Sequence, residues 1–321
     1  MTGVDEKKKG RGDAGRYLPE RHGGFAERIL TLLLLSVLLA TLFLSEEIAE
    51  AVRLGLTLCA RTVIPAVFPF MILSGILTAY ASFDSFSPLA YPFVRLFRIR
   101  RCGIGAFLSG LFCGFPLGVK GTVDLFRAGR LDKEEAERLI GFSNNTGPGF
   151  LIGAVGVGMR GSMRDGLLLY LTMILSAITV GILFGIGHTA SDDDLPTKKE
   201  EFDLVACIRD AGFNTIAISS FLTFFSVVSG LLARLFPNTT LLSFLLPFLE
   251  VGNAACFLSS LSPLTPRLSL ALTAFAVSFS GFSVHLQARH FLSGSGLSMR
   301  RYYPMKLLQG FLAAGLTFLL F

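Results

Sequence analysis

The sequence predicts an all-α polytopic membrane protein, built as inverted structural repeats with two re-entrant helical hairpins and broken transmembrane helices. Three observations carry that prediction. Mean hydropathy is +0.62, and 16% charged against 52% hydrophobic residues leaves too little polar surface to clothe a soluble domain of 321 residues. Apolar runs at 29–44, 63–80, 167–186 and 307–321 each approach the ~20 residues that cross a bilayer. Finally, two glycine-rich interruptions, Gly114–Gly121 and Ser143–Gly149, lie inside apolar surroundings. Irregular backbone in hydrocarbon leaves N–H and C=O groups unpaired, so it persists only where protein buries it or it lines a cavity.

The elements follow in chain order. Residues 1–28 are polar, with Lys7, Lys8, Lys9, Arg11, Arg16, Arg21 and Arg28, and predict a disordered basic cytoplasmic tail. This basic region is longer than a signal peptide's and no small-residue cleavage site follows, so 29–45 is expected to stay as the first transmembrane helix. A first repeat then occupies 46–190. Arg95, Arg98, Arg100 and Arg101 form the densest basic loop after the tail, which places both in the cytoplasm with two crossings between them. From about 102 to 128, two short apolar arms flank Gly-Phe-Pro-Leu-Gly and return to Arg127 and Arg130, a re-entrant hairpin. Asp132 and Glu135 then form a capping box for a broken helix at about 132–158, interrupted at Ser143–Gly149. A crossing at about 163–187 leads to the polar linker 191–203.

The second repeat, 204–321, is expected to be inverted. Ser74-Gly75-Ile76-Leu77 recurs as Ser229-Gly230-Leu231-Leu232, Pro92-Phe93 as Pro247-Phe248, and Gly114-Phe115 as Gly281-Phe282, in the same order. That register puts a second hairpin at about 268–292 with Ser280–Gln287 at its tip. It also leaves Arg300 and Arg301 outside, against the positive-inside rule, and parity turns on whether 241–257 spans.

Inverted repeats whose broken helices meet at the midplane are the architecture of secondary transporters. A hairpin tip presents N–H groups and a helix dipole that favour an anion. Here Gly114, Phe115, Pro116 and Gly118 form the tip, and Lys120 either adds positive charge or snorkels to the interface. In the other interruption, Ser143, Asn144, Asn145, Thr146 and Gly147 gather carbonyls, amides and hydroxyls suited to a polar substrate or Na⁺. In the second half the candidates are Ser280, Gly281, Ser283, His285 and Gln287. His285 is either a proton carrier or substrate donor, or a histidine satisfied in the core. Glu250 and Asn253 lie either at depth or facing water.

Other classes are weakly supported. The five cysteines have no metal, redox or paired spacing, and no protease, nucleophile-elbow or phosphate-loop motif occurs, so neither an enzyme nor a cofactor or metal is expected. A coupling ion, H⁺ or Na⁺, is left open. The net charge of +6 sits in flanks and short loops, where it serves topology and lipid headgroups rather than nucleic acid. A non-transporting membrane scaffold remains the competing class.

The run Gly114-Phe115-Pro116-Leu117-Gly118-Val119-Lys120, then Gly129-Arg130-Leu131, Glu134-Glu135-Ala136 and Asn145-Thr146-Gly147-Pro148, resembles the nucleoside-recognition Gate domain. With Phe282–Gln287 it is more closely similar to the YlbJ-type sporulation integral membrane proteins, over about 45–321. The resemblance implies a fold akin to concentrative nucleoside transporters and suggests a homotrimer. It further implies a place in a bacterial forespore membrane and dipicolinate as the small-molecule anion carried, with nucleosides or other dicarboxylates as alternatives. Fold analogy alone does not fix a substrate.

Overall fold

The computed structural model describes residues 31–32, 35, 38–39, 41–80, 87–189, 203–235, 248–260 and 264–321. The expected tail, most of the first crossing, nearly all of the polar linker and residues 241–247 lie outside the described residues. The chain divides into two units, 1–45 and 46–321. The described residues between 31 and 43 are helical, and the remaining helices form the second unit.

Twelve α-helices, α1 to α12, make up the described residues. They are α1 (Ser45–Leu58), α2 (Ile64–Tyr80), α3 (Ser87–Phe97), α4 (Arg101–Phe112), α5 (Leu117–Arg127), α6 (Lys133–Ser143), α7 (Met163–Gly185), α8 (Leu204–Leu235), α9 (Val251–Ser260), α10 (Pro266–Phe279), α11 (Gly281–Leu292) and α12 (Tyr302–Leu320). Two π-helical segments join them: Cys59–Val63 links α1 to α2, and an arm at Gly149–Met159 follows α6. Among the described residues, four stretches are long and apolar enough to cross a membrane: Met163–Gly185, Leu204–Leu232, Pro266–Leu292 and Tyr302–Leu320. With no strand among the described residues, this is an all-α polytopic membrane protein.

One end of the unit collects arginines. Arg98 donates to the carbonyls of Gly185 and His188, each at 3.3 Å. Arg100 pairs with Glu135 at 2.6 Å and Asp132 at 3.2 Å. Arg127 donates to Ser293 O at 3.0 Å, and Arg301 to Glu134 at 2.8 Å. The capping box is thus half made. Asp132 accepts from Glu135 N at 2.8 Å, while the Glu135 carboxylate turns to Arg100.

From this arginine-rich face α4 enters and α5 returns. Cys102 lies beside Arg130, Ala106 beside Gly121 and Gly110 beside Gly118, an antiparallel pair around the turn Cys113–Pro116. Next, α6 runs inward, breaks, and continues as the π-helical arm to Arg160 at the opposite face; α7 comes back to Gly185. Phe97, Phe107 and Phe142 lock α3, α4 and α6 together with centroids 4.9–5.5 Å apart.

The second half departs from expectation at its hairpin. Helices α10 and α11 are not the two arms of a hairpin; they form one helix that crosses with a break in the middle. At the start of α10, Ser269 accepts from Arg160 at 3.0 Å and Arg267 donates to Phe318 O, both at the face opposite the arginines. At the end of α11, Phe291 and Ser293 meet Arg127 on the arginine-rich face. Arg300 and Arg301 therefore lie on the same face as Arg98 and Arg100, not on the other side. The physical reason is local ambiguity. A glycine with positive φ interrupts a helix the same way whether the chain doubles back or goes on, and Gly114 and Gly281 both have it, at +84° and +66°. What separates the cases is whether the arms pack on each other.

Candidate functional site at the crossing of two broken helices

The two broken helices run in opposite directions and touch at their breaks, where Thr146 Oγ1 donates to Val277 O at 2.6 Å. The first break is long. Asn144–Gly147 leave the helical conformation, and Pro148, which has no N–H to satisfy, opens the next arm. The second is short: Ser280 and Gly281 both take left-handed backbone, at φ +78° and +66°. The Pro266–Leu292 window is 78% buried, against 39% or less for the other three crossings. Protein, not lipid, surrounds this break, which is the condition for tolerating it.

Each break is braced differently. The hairpin turn leans on the first one. A Cβ at Gly110 or Gly118 would stand 1.7 or 2.0 Å from Ser143 O, and one at Gly114 would stand 2.7 Å from Gly147 N. What approaches these glycines is the backbone of the break. Phe115 is half-buried and Pro116 buried beside them. Lys120 is half-buried and paired with Asp124 at 2.6 Å, so its charge is compensated within its own helix. The second break rests on the start of α9, where a Cβ at Gly281 would meet Leu249 O at 3.2 Å. There Glu250, only 1% exposed, accepts from Gly252 N at 2.9 Å and Asn253 N at 2.6 Å. Glu250 caps a helix inside the protein and does not face water; Asn253 is half-buried and supplies one of those N–H groups.

Between the breaks lies a buried polar network. Asn144 Nδ2 donates to Tyr302 Oη at 2.7 Å, and Tyr302 Oη lies 3.1 Å from His285 Nδ1. Tyr302 Oη thus bridges the Asn144 amide and the His285 imidazole. Lys306 Nζ donates to Asn144 O and to Gln309 Oε1, each at 2.7 Å, and Gln309 Nε2 donates to Asn145 Oδ1 at 2.8 Å. Asn145 Nδ2 closes back on Phe142 O at 2.7 Å, and Gln287 donates to Ser283 Oγ at 3.3 Å. Ser143, Asn144, Asn145, Ser280, Ser283, Lys306 and Gln309 are all completely buried.

Two features of this network call for a ligand. Lys306 is a completely buried amine whose acceptors are both neutral, and no carboxylate pairs with it among the described residues. A buried charge without a counter-ion is costly. Five buried polar atoms on the two breaks also lack partners: Ser143 Oγ, Asn144 Oδ1, Ser278 Oγ, His285 Nε2 and Gln287 Oε1. Native interiors leave few such groups unpaired.

Sequence reasoning misses Tyr302, Lys306 and Gln309, because the apolar run that marks the last crossing begins only at Leu307. A signal for them exists. Tyr302, Lys306 and Gln309 recur at four- and three-residue spacing, one polar face on an otherwise apolar helix.

Fold and site together define a polytopic helical membrane protein with a polar centre where two interrupted helices cross. The chain is 28% identical over 318 residues to the sporulation integral membrane protein YlbJ of Bacillus subtilis (strain 168), covering 84% of this chain and 77% of that protein. That likeness supports the YlbJ-type family. No protein-family model matches the chain, and no solved structure matches it.

Proposed function

We propose that this chain is a secondary transporter, not an enzyme, that carries a small carboxylate anion across a membrane during sporulation. The relative named as a sporulation integral membrane protein supports the sporulation setting. The observation that carries the anion is Lys306, a buried amine bonded only to neutral acceptors, which an arriving anion would hold in its charged form. A carboxylate arriving at the crossing supplies the missing counter-charge. The Ser143 and Ser278 hydroxyls offer donors to its oxygens, and His285 Nε2 does so in the tautomer that carries its proton there. Dipicolinate, a rigid dianion with an aromatic body, suits a site walled by Phe279, Tyr302 and the His285 ring. The arginine-rich face is then cytoplasmic by the positive-inside rule.

The test is dipicolinate uptake into liposomes, comparing wild type with Lys306→Met and Asn145→Ala. Uptake by the wild type that falls by about 100-fold or more in Lys306→Met, in protein that still elutes as a folded species, is the expected result. Lys120→Ala is the internal comparison, because its charge is already paired with Asp124. A wild type inert toward dipicolinate, malonate and nucleosides alike would turn the assignment to a membrane scaffold.

A further inference from the structure

A second polar site lies on the arginine-rich face, outside the crossing. A surface cavity of about 490 Å³ is lined by Arg289, Leu292, Ser293, Leu297, Met299, Arg300 and Tyr303. Leu292, Leu297 and Met299 contribute apolar surface, and its charged residues are both cations. The neighbouring arginines on this face have acceptors: Arg127 donates to Ser293 O, and Arg301 is paired with Glu134. Among the described residues neither the Arg289 nor the Arg300 guanidinium is in an ion pair. Two exposed arginines line one cavity without an acidic residue in its lining, an arrangement that an oxyanion completes. The cavity also has an inner wall of consequence. Tyr303 packs its ring against that of His285, with centroids 5.6 Å apart, and His285 Nε2 is one of the buried atoms without a partner.

We propose that Arg289, Arg300 and Tyr303 form a second oxyanion site, separate from the buried crossing and one aromatic ring away from it. Its ligand class is a carboxylate or phosphate bearing an apolar body, taken either from solution or from the headgroup of an anionic lipid. Leu292, Leu297 and Met299 receive the body while the two guanidinium groups hold the charge. The site stands whether or not the crossing transports anything.

The chain contains no tryptophan, so Tyr303→Trp places a single reporter in the cavity wall. In phosphatidylcholine nanodiscs, titration with malonate and with inorganic phosphate is expected to change its emission saturably. Arg289→Gln together with Arg300→Gln should weaken that response by about tenfold or more. Lys306→Met in the same background should leave it unchanged. If the anion belongs to a lipid, soluble anions do nothing, and the emission shifts instead when phosphatidylglycerol replaces phosphatidylcholine, again only with both arginines present. No response to any of the three probes overturns the proposal, as does a response indifferent to the arginines or abolished by Lys306→Met. Should Tyr303→Trp itself disturb the cavity, the shift in thermal midpoint of the unaltered protein on adding each probe separates the same outcomes.

Discussion

The two breaks solve one physical problem by different means. At Asn144–Gly147 a glycine-lined turn from α4 and α5 presses backbone onto backbone. At Ser280–Gly281 the interruption is two residues long and the support is Glu250, a buried carboxylate holding the first N–H groups of α9. Steric packing tolerates no added atom, whereas a hydrogen-bonded brace tolerates substitution in proportion to the bonds lost. The first break therefore has the geometry of a fixed wall and the second that of an adjustable one.

The largest expected effect tests that asymmetry directly. Gly118→Ala drives a Cβ to 2.0 Å from Ser143 O, and no flexible side chain can yield there because the obstacle is backbone. It should cost more than about 3 kcal/mol, at the upper end of overpacking. Gly281→Ala meets Leu249 O at 3.2 Å and is destabilised chiefly by its φ of +66°, about 1–2 kcal/mol. Thermal midpoints of both variants in one detergent measure the gap. Equal losses would erase the distinction between the breaks.

Next in size is Glu250. Glu250→Ala strips both N–H groups of their acceptor inside the protein, about 2 kcal/mol, while Glu250→Gln keeps an acceptor and should lose about 1 kcal/mol. A Gln variant as unstable as the Ala variant would mean that the carboxylate's charge, not its hydrogen bonding, holds the second break. Smaller still is Thr146→Val, which keeps the shape and removes the single bond from the first break to Val277 O, about 1 kcal/mol. Measured with Glu250→Gln as a double-mutant cycle, it reports whether the two breaks are energetically coupled.

Much of this was legible in the sequence, and the part that was not has a common cause. The apolar runs, the arginine distribution and both polar interruptions are local signals, and Asp132 as a helix cap follows from one residue and its spacing. The nature of the second interruption is not local. Gly114-Phe115 and Gly281-Phe282 look alike as dipeptides, yet one sits in a turn between packed arms and the other inside a crossing. The Arg300–Arg301 pair, awkward under a hairpin, was the clue that the chain goes through. Lys306 shows the same limit. A lysine four residues into a terminal apolar helix has the pattern of one that snorkels, and only the packing of α12 against the first break seals it from water.

The smallest effect concerns how the halves are tied at the arginine-rich face. Arg301 binds Glu134, and Glu137 accepts from Ser298 N at 2.9 Å, so the loop before α12 is held to α6 just outside the crossing. The hydrogen bond from Arg301 holds the Glu134 carboxyl below its ordinary value of 4.5. A carboxyl depressed in the folded state contributes fully above its unfolded value and loses the contribution as pH falls through the folded one. The tether is therefore intact at neutral pH and released below about pH 4.5. Because the pair is exposed, the change is modest, about twofold in hydrogen-exchange protection of the 293–301 amides. Glu134→Gln should reproduce it at pH 7 and add nothing at acid pH. Protection in the wild type that is insensitive to pH would show that the Glu134–Arg301 pair adds nothing, and that Glu137 and the Arg127 bond to Ser293 O hold the loop without it.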